Sequence, residues 1–213
     1  MIALIGIALA QDVKAPPAGN DCPRAEAEQQ AFTDGLKLMY EQVDGAAERG
    51  VGKVATANIK AAMKHYDKGE LCTNDDRFWA GSLLLMSTEQ DHAAAAYSLS
   101  KVLVEERYPR GTWLAAQAYD RWSVAYGRMQ AYGTQTVPSG GKRCLLWVDP
   151  QATDELRKKY GYPSLTEVFA SILEANGAKG APATVAELKK RELWCKPEPW
   201  DGSRSDLPDP YGR

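Results

Sequence analysis

In the first two-thirds of the chain, apolar side chains recur again and again at steps of three and four residues, and most of the runs stop at glycine or proline. That period marks one face of an α-helix, and short breaks between such runs make neighbouring helices antiparallel. Behind Pro23, residues 24–47 set Phe32, Leu36, Met39, Tyr40 and Val43 on one side, and "ERGVG" ends the run. Residues 54–68 follow with Ile59, Met63 and Tyr66 inward, up to Gly69. A third helix opens at "CTNDD", where Asn74 is placed to cap and Asp75 and Asp76 suit the positive end of the helix dipole. A fourth starts in "STEQDH", with Thr88 and Asp91 spaced as a capping box. "YPRG" is a turn, because Pro109 keeps Tyr108 out of helix, and a fifth helix spans residues 112–129.

The texture changes after Gly133. "TQTVPSGGKRCLLWV" predicts a loop or short hairpin insert at residues 134–150, with 144–148 as one strand. A short polar helix follows "DP", and then a stronger one. In that second helix Ser164 caps, Glu167 completes a capping box, and Leu165, Val168, Phe169 and Ile172 face inward. A last helix is expected over 184–194. The fold class is therefore mainly α: antiparallel helix pairs, as a tetratricopeptide-like array or a bundle, with a short irregular or β-hairpin insert. No internal repeat of fixed period is visible.

The ends read differently from the middle. "MIALIGIALA" is apolar and closes on a small-x-small pattern, so residues 1–10 have the form of a signal peptide, although no basic residue precedes them. It is too short to span a bilayer, and no stable membrane span is expected after cleavage. Residues 11–21 form a Pro/Gly/Ala leader, residues 22–195 a single helical domain, and residues 196–213 a Pro-rich tail. A net charge of -2 with scattered cations gives no footprint for nucleic acid.

The four cysteines fit a secreted or periplasmic protein. Pairing Cys22 with Cys72 and Cys144 with Cys195 closes each bridge over its own segment, and each loop of about 50 residues contributes on the order of 4 kcal/mol by the chain-entropy model. Buried free thiols are the alternative. There is no Cys-x-x-Cys and only two histidines, so no metal is expected, and no motif calls for a cofactor.

"YDRWSVAYGRMQAYGTQ" is the stretch that carries chemistry. Asp120 and Arg121 are adjacent on a helix with apolar groups on more than one side, so they diverge by about 100° and each needs its own partner. One reading is a structural lock, in which the charged pair holds the "YGTQ" exit. The other is a polar pocket built from Asp120, Arg121, Tyr132, Thr134 and Gln135. His92 shares a face with Ala96, Leu99 and Leu103, and its ring can either pack or serve as a general base. Two functions follow. The first is an exported binding or scaffolding protein with a protein or peptide partner in a helical groove. The alternative is a small hydrolase or transferase using the polar cleft, with His92 as a candidate. The residue pattern leaves open whether the chain is an enzyme.

"WLAAQAYDRWSVAYGRMQAYGTQ" followed by "LWVDPQATDELRKKYGYPSLTEVF" resembles an uncharacterised bacterial family, a domain of unknown function. Its members carry an Asp-Arg helix, matched by Asp120 and Arg121, and an exit matched by Gly127, Gln130, Tyr132, Gly133, Thr134 and Gln135. The likeness spans residues 76–176. Arg128-Met129 stands where the family often has Lys-Pro, which implies a later helix end. The resemblance implies a mostly helical, exported or envelope-associated protein and no particular catalytic role.

Overall fold

A computed structural model describes residues 24–47 and 52–197. The proposed signal peptide and leader, Cys22, and the tail beyond Pro197 lie outside the described residues. The described chain runs α1 (Glu26–Ala47), α2 (Gly52–Asp67), α3 (Asn74–Leu84), α4 (Gln90–Glu105), α5 (Gly111–Ala125), β1 (Thr136–Ser139) and β2 (Lys142–Leu146). It continues with α6 (Asp154–Lys159), α7 (Leu165–Ala175), α8 (Val185–Lys190) and β3 (Trp194–Cys195). The protein is mainly helical with a small sheet, as the periodicity predicts.

The first five helices pack in sequence order, and their apolar faces meet in one core of Leu36, Val43, Ile59, Leu71, Leu83, Leu84 and Leu99. A second core joins the sheet to α7 and α8 through Leu145, Val148, Phe169, Ile172, Leu173 and Leu188. Between the two lies a smaller cluster of Ala116, Tyr119, Ala131, Tyr132 and Ala152. The exit from α5 runs through this middle cluster, so its geometry sets how the second core sits against the first.

The helix ends show which local signals prevailed. Ser164 and Glu167 form the predicted capping box on α7. On α3 the cap is Thr73, not Asn74; the Thr73 hydroxyl accepts from the Asp76 amide, and Asp76 reaches back to the Thr73 amide. The one-residue shift also lets Asp76, fully buried, take hydrogen bonds from Gln29 and Thr33 of α1. Thr88 does not cap α4, whose first turn has no side-chain cap; Ser87 instead accepts the Glu89 amide. Helix α5 ends at Ala125 rather than at residue 129. Gly127 adopts a left-handed φ of 71°, its amide bonds Val124, and the Arg128 amide reaches back to Ser123. This double closure satisfies the last carbonyls and turns the chain out of the helix.

The insert is a β-hairpin. β1 and β2 pair antiparallel from Thr136 with Leu145 to Ser139 with Lys142, so the strand starts and stops two residues before the expected 144–148. A third strand replaces the end of the expected last helix: α8 stops at Lys190, and Trp194–Cys195 pairs parallel with β2. Cys144 and Cys195 form a disulfide with Cα atoms 5.9 Å apart, tying β2 to β3. No free cysteine occurs among the described residues, and the expected Cys22–Cys72 bond falls on Cys22, outside them. Also among the described residues, no helix is long and apolar enough to cross a membrane.

Candidate functional site

Asp120 sits on α5 with no solvent exposure. Its Oδ1 accepts from the amides of Ala131 at 2.7 Å and Tyr132 at 2.9 Å. Its Oδ2 accepts from the Thr134 amide and the Thr134 hydroxyl, both at 2.9 Å. A single carboxylate thus gathers the donors of a four-residue bend. The bend needs Gly133, whose φ of 71° is left-handed and whose missing Cβ would stand 3.4 Å from Val168 and 3.6 Å from Arg157 Nη2.

The cation that completes this junction is Arg157, not Arg121. Arg157 belongs to the short polar helix α6 and has no exposed surface. Its Nη1 donates to the Ala131 carbonyl at 3.1 Å and its Nε to the Pro163 carbonyl at 2.9 Å. Asp154 lies 3.9 Å from Nε. Arg121 is half-buried, makes none of the bonds to the bend, and its Nε has no hydrogen-bond partner among the described residues. The expectation that Asp120 and Arg121 act together is therefore corrected. Adjacent helical residues point in different directions, and only Asp120 points at the exit.

Gln130 adds a second clasp. It is fully buried; its Nε2 donates to the Gln135 and Leu146 carbonyls, and its Oε1 accepts the Gln135 amide at 2.7 Å. Its backbone also exchanges bonds with Trp147 and Asp149 beside the sheet. Gln135 closes the set, with Nε2 donating to the Thr134 hydroxyl at 2.8 Å. Tyr132 is buried and packs its ring among Tyr119, Tyr160 and Tyr162.

Burial dominates the electrostatics here. It pushes the Asp120 carboxyl up to about 6, against the opposing pull of the amide and hydroxyl donors from Tyr132, Thr134 and Ala131. Burial pulls the guanidinium of Arg157 down, and the charge of Asp120 resists that change. The Tyr162 phenol is pushed up by burial and then by the same carboxylate. Asp120, Tyr132, Thr134 and Gln135 do converge, but on backbone rather than on an open cleft.

His92 stands elsewhere. It is buried on α4, with Nδ1 2.7 Å from Ser87 Oγ and Nε2 3.6 Å from Glu89 Oε2. It lines a separate pocket of about 240 Å³ with Ile59, Lys60, Met86, Ser87 and Glu89. A larger concavity of about 490 Å³ lies over the second core, walled by Met129, Trp147, Pro150, Leu165, Phe169 and Trp194, with Asp149 and Lys189 also lining it. Among the described residues no group of three His, Cys, Asp or Glu side chains could hold a metal ion.

Arg157 and the groove are what sequence reasoning misses. Arg157 is one of three consecutive cations in "DELRKK", and nothing local separates it from Lys158 and Lys159. The groove joins residues from positions 129 to 194, and only its aromatic content is visible in the sequence. Compared with family models, curated proteins and solved structures, the chain matches none of them.

Proposed function

We propose that this chain is an exported binding module that takes up an extended peptide segment along the outer edge of β3. The observation that carries the reading is the double role of Trp194. Its ring lines the 490 Å³ groove. Its neighbours, Leu193 and Cys195, turn their carbonyls to the amides of Leu145 in β2 and of Trp147 just after it. Alternation along a strand then turns the N–H and C=O of Trp194 away from β2. A strand edge that pairs with nothing among the described residues, beside an apolar groove, matches recognition by strand addition, in which main-chain bonds supply affinity and alternate side chains fill pockets.

The rest of the chain supports that surface. The Cys144–Cys195 bridge clamps the two strands and suits an oxidising compartment. The Asp120 junction fixes the lobe against the helices, which is what a preformed site needs. The groove lies between the sheet and α7 and α8 rather than between pairs of the first five helices. Membership of the bacterial family with the Tyr-Gly-Thr-Gln exit belongs to the same proposal.

An enzyme centred on Asp120 is the weaker reading, because the carboxylate is sealed and both of its oxygens are occupied. The test is a titration with blocked pentapeptides alternating valine and threonine. Binding should quench or shift tryptophan fluorescence, protect the Trp194 amide from exchange, and be weakened about tenfold or more by Trp194→Ala. No binding by such peptides, or binding indifferent to Trp194→Ala, would refute strand addition.

A further inference from the structure

The pocket at the start of α4 brings a hydroxyl, an imidazole and a carboxylate together. The Ser87 oxygen accepts the Glu89 amide at 3.1 Å. The same oxygen lies 2.7 Å from His92 Nδ1, within reach for its hydroxyl proton to be donated to the ring. In the tautomer with its proton on Nε2, Nδ1 accepts from the hydroxyl, and Nε2 lies 3.6 Å from Glu89 Oε2. Nucleophile, base and carboxylate thus follow one another, with the two ring nitrogens exchanged relative to the usual serine-hydrolase arrangement.

The surroundings suit a small acyl group. Ser87, Glu89 and His92 all line the 240 Å³ pocket, whose walls mix Ala55, Ile59 and Met86 with Lys60. Ser87 retains 8% of its surface and His92 7%, so both are held by packing without being sealed off. No side chain caps the first turn of α4, so its leading amides keep hydrogen-bonding capacity at the helix end that this pocket borders. Positive partial charge at that end favours a developing oxyanion.

We propose that Ser87, His92 and Glu89 form an acyl-transfer site for small esters, independent of the peptide groove. Ser87 Oγ attacks the acyl carbon and its proton passes to His92 Nδ1. The tetrahedral adduct collapses, the C–O bond to the leaving group breaks, and the departing alkoxide takes that proton from Nδ1. Water then attacks the acyl-serine and gives a proton to Nδ1, and Ser87 Oγ leaves and recovers it. Ester and water become acid and alcohol with no redox change. Ser87 and His92 are the catalytic residues of this site, and Glu89 is a positioning residue that orients the ring.

The experiment treats the full chain with a fluorophosphonate probe and locates the adduct by peptide mass spectrometry. The adduct is expected on Ser87, forming about a hundredfold more slowly in His92→Gln. Glu89→Gln should slow the reaction severalfold at unchanged melting temperature and final stoichiometry, with partial rescue by Glu89→Asp. Release of p-nitrophenol from p-nitrophenyl acetate should show the same order of rates. Wild-type protein that leaves Ser87 unlabelled, or a labelling rate unaltered by His92→Gln in folded protein, would overturn the proposal. Locating the adduct on wild-type protein does not depend on whether a Ser87 variant folds.

Discussion

Asp120 and Arg157 grip the same peptide group from opposite ends. The carboxylate accepts the Tyr132 N–H at 2.9 Å, and the guanidinium donates to the Ala131 carbonyl at 3.1 Å. These two atoms belong to one peptide unit, so the two charges are joined through a polarised amide rather than by direct contact. Breaking a buried charge network by removing one member leaves the other uncompensated, and that cost exceeds the value of any single bond.

Asp120→Asn keeps the shape but turns an NH₂ group toward backbone and hydroxyl donors. At pH 7 we predict a loss of about 3 kcal/mol, which for a domain of this size lowers Tm by roughly 6–12 °C. Thermal unfolding followed by circular dichroism checks it, and a loss below about 1 kcal/mol is outside what the junction allows.

Arg157→Met removes the donors to Ala131 and Pro163, with an expected loss of about 3 kcal/mol. Arg121→Ala should cost less than about 1 kcal/mol, since that side chain holds none of the exit. In the double variant Asp120→Asn/Arg157→Met the two losses should fall short of additive by about 1 kcal/mol or more. Urea denaturation of the four proteins measures this, and strict additivity speaks against coupling through the shared peptide.

The pH dependence has a definite sign. In the folded chain the Asp120 carboxyl titrates at about 6, whereas its unfolded counterpart titrates near ~3.9. The folded state therefore holds this proton more tightly. Below the unfolded value the two states are equally protonated and the group's contribution is fully present. That proton-linked part is lost as pH rises to about 6, by roughly 3 kcal/mol, while the hydrogen bonds from the bend to the ionised carboxylate remain. Glu70, whose pKa is lowered chiefly by its hydrogen bond to His65, acts in the opposite sense below about pH 4.5. The comparison to make is the stability of wild type minus that of Asp120→Asn from pH 4 to pH 7. The difference should shrink as pH rises, and a difference that grows would reverse the assignment.

The Cys144–Cys195 bridge closes a span of 51 residues. Replacing both cysteines with serine should cost about 2–5 kcal/mol and loosen the groove more than the helices. Amide exchange in β2 and β3, compared with α4, separates these effects. Equal loosening throughout would mean that the bridge does not act locally.

How far the sequence carries depends on whether a feature is local. The helices follow from a period that each segment contains, and Ser164 and Glu167 are legible because a capping box lies within four residues. Thr73 and Asn74 are both good caps; the Thr73–Asp76 box is local, whereas the contacts from Gln29 and Thr33 to Asp76 that also hold this register are not. Asp120 can be identified because a charge on a crowded helix needs a partner. Arg157 cannot, because its burial arises from a bend 24 residues earlier, between Ala131 and Gly133. β3 is two residues long, too short for any periodicity, and its place is set by pairing with β2 and by the disulfide.

The most direct measurement is hydrogen exchange at the amides of Ala131, Tyr132 and Thr134 in wild type and Asp120→Asn at neutral pH. All three donate to Asp120. The account predicts that their protection falls by about tenfold or more while amides in α1 and α2 hold theirs. Unchanged protection at these three positions would contradict it.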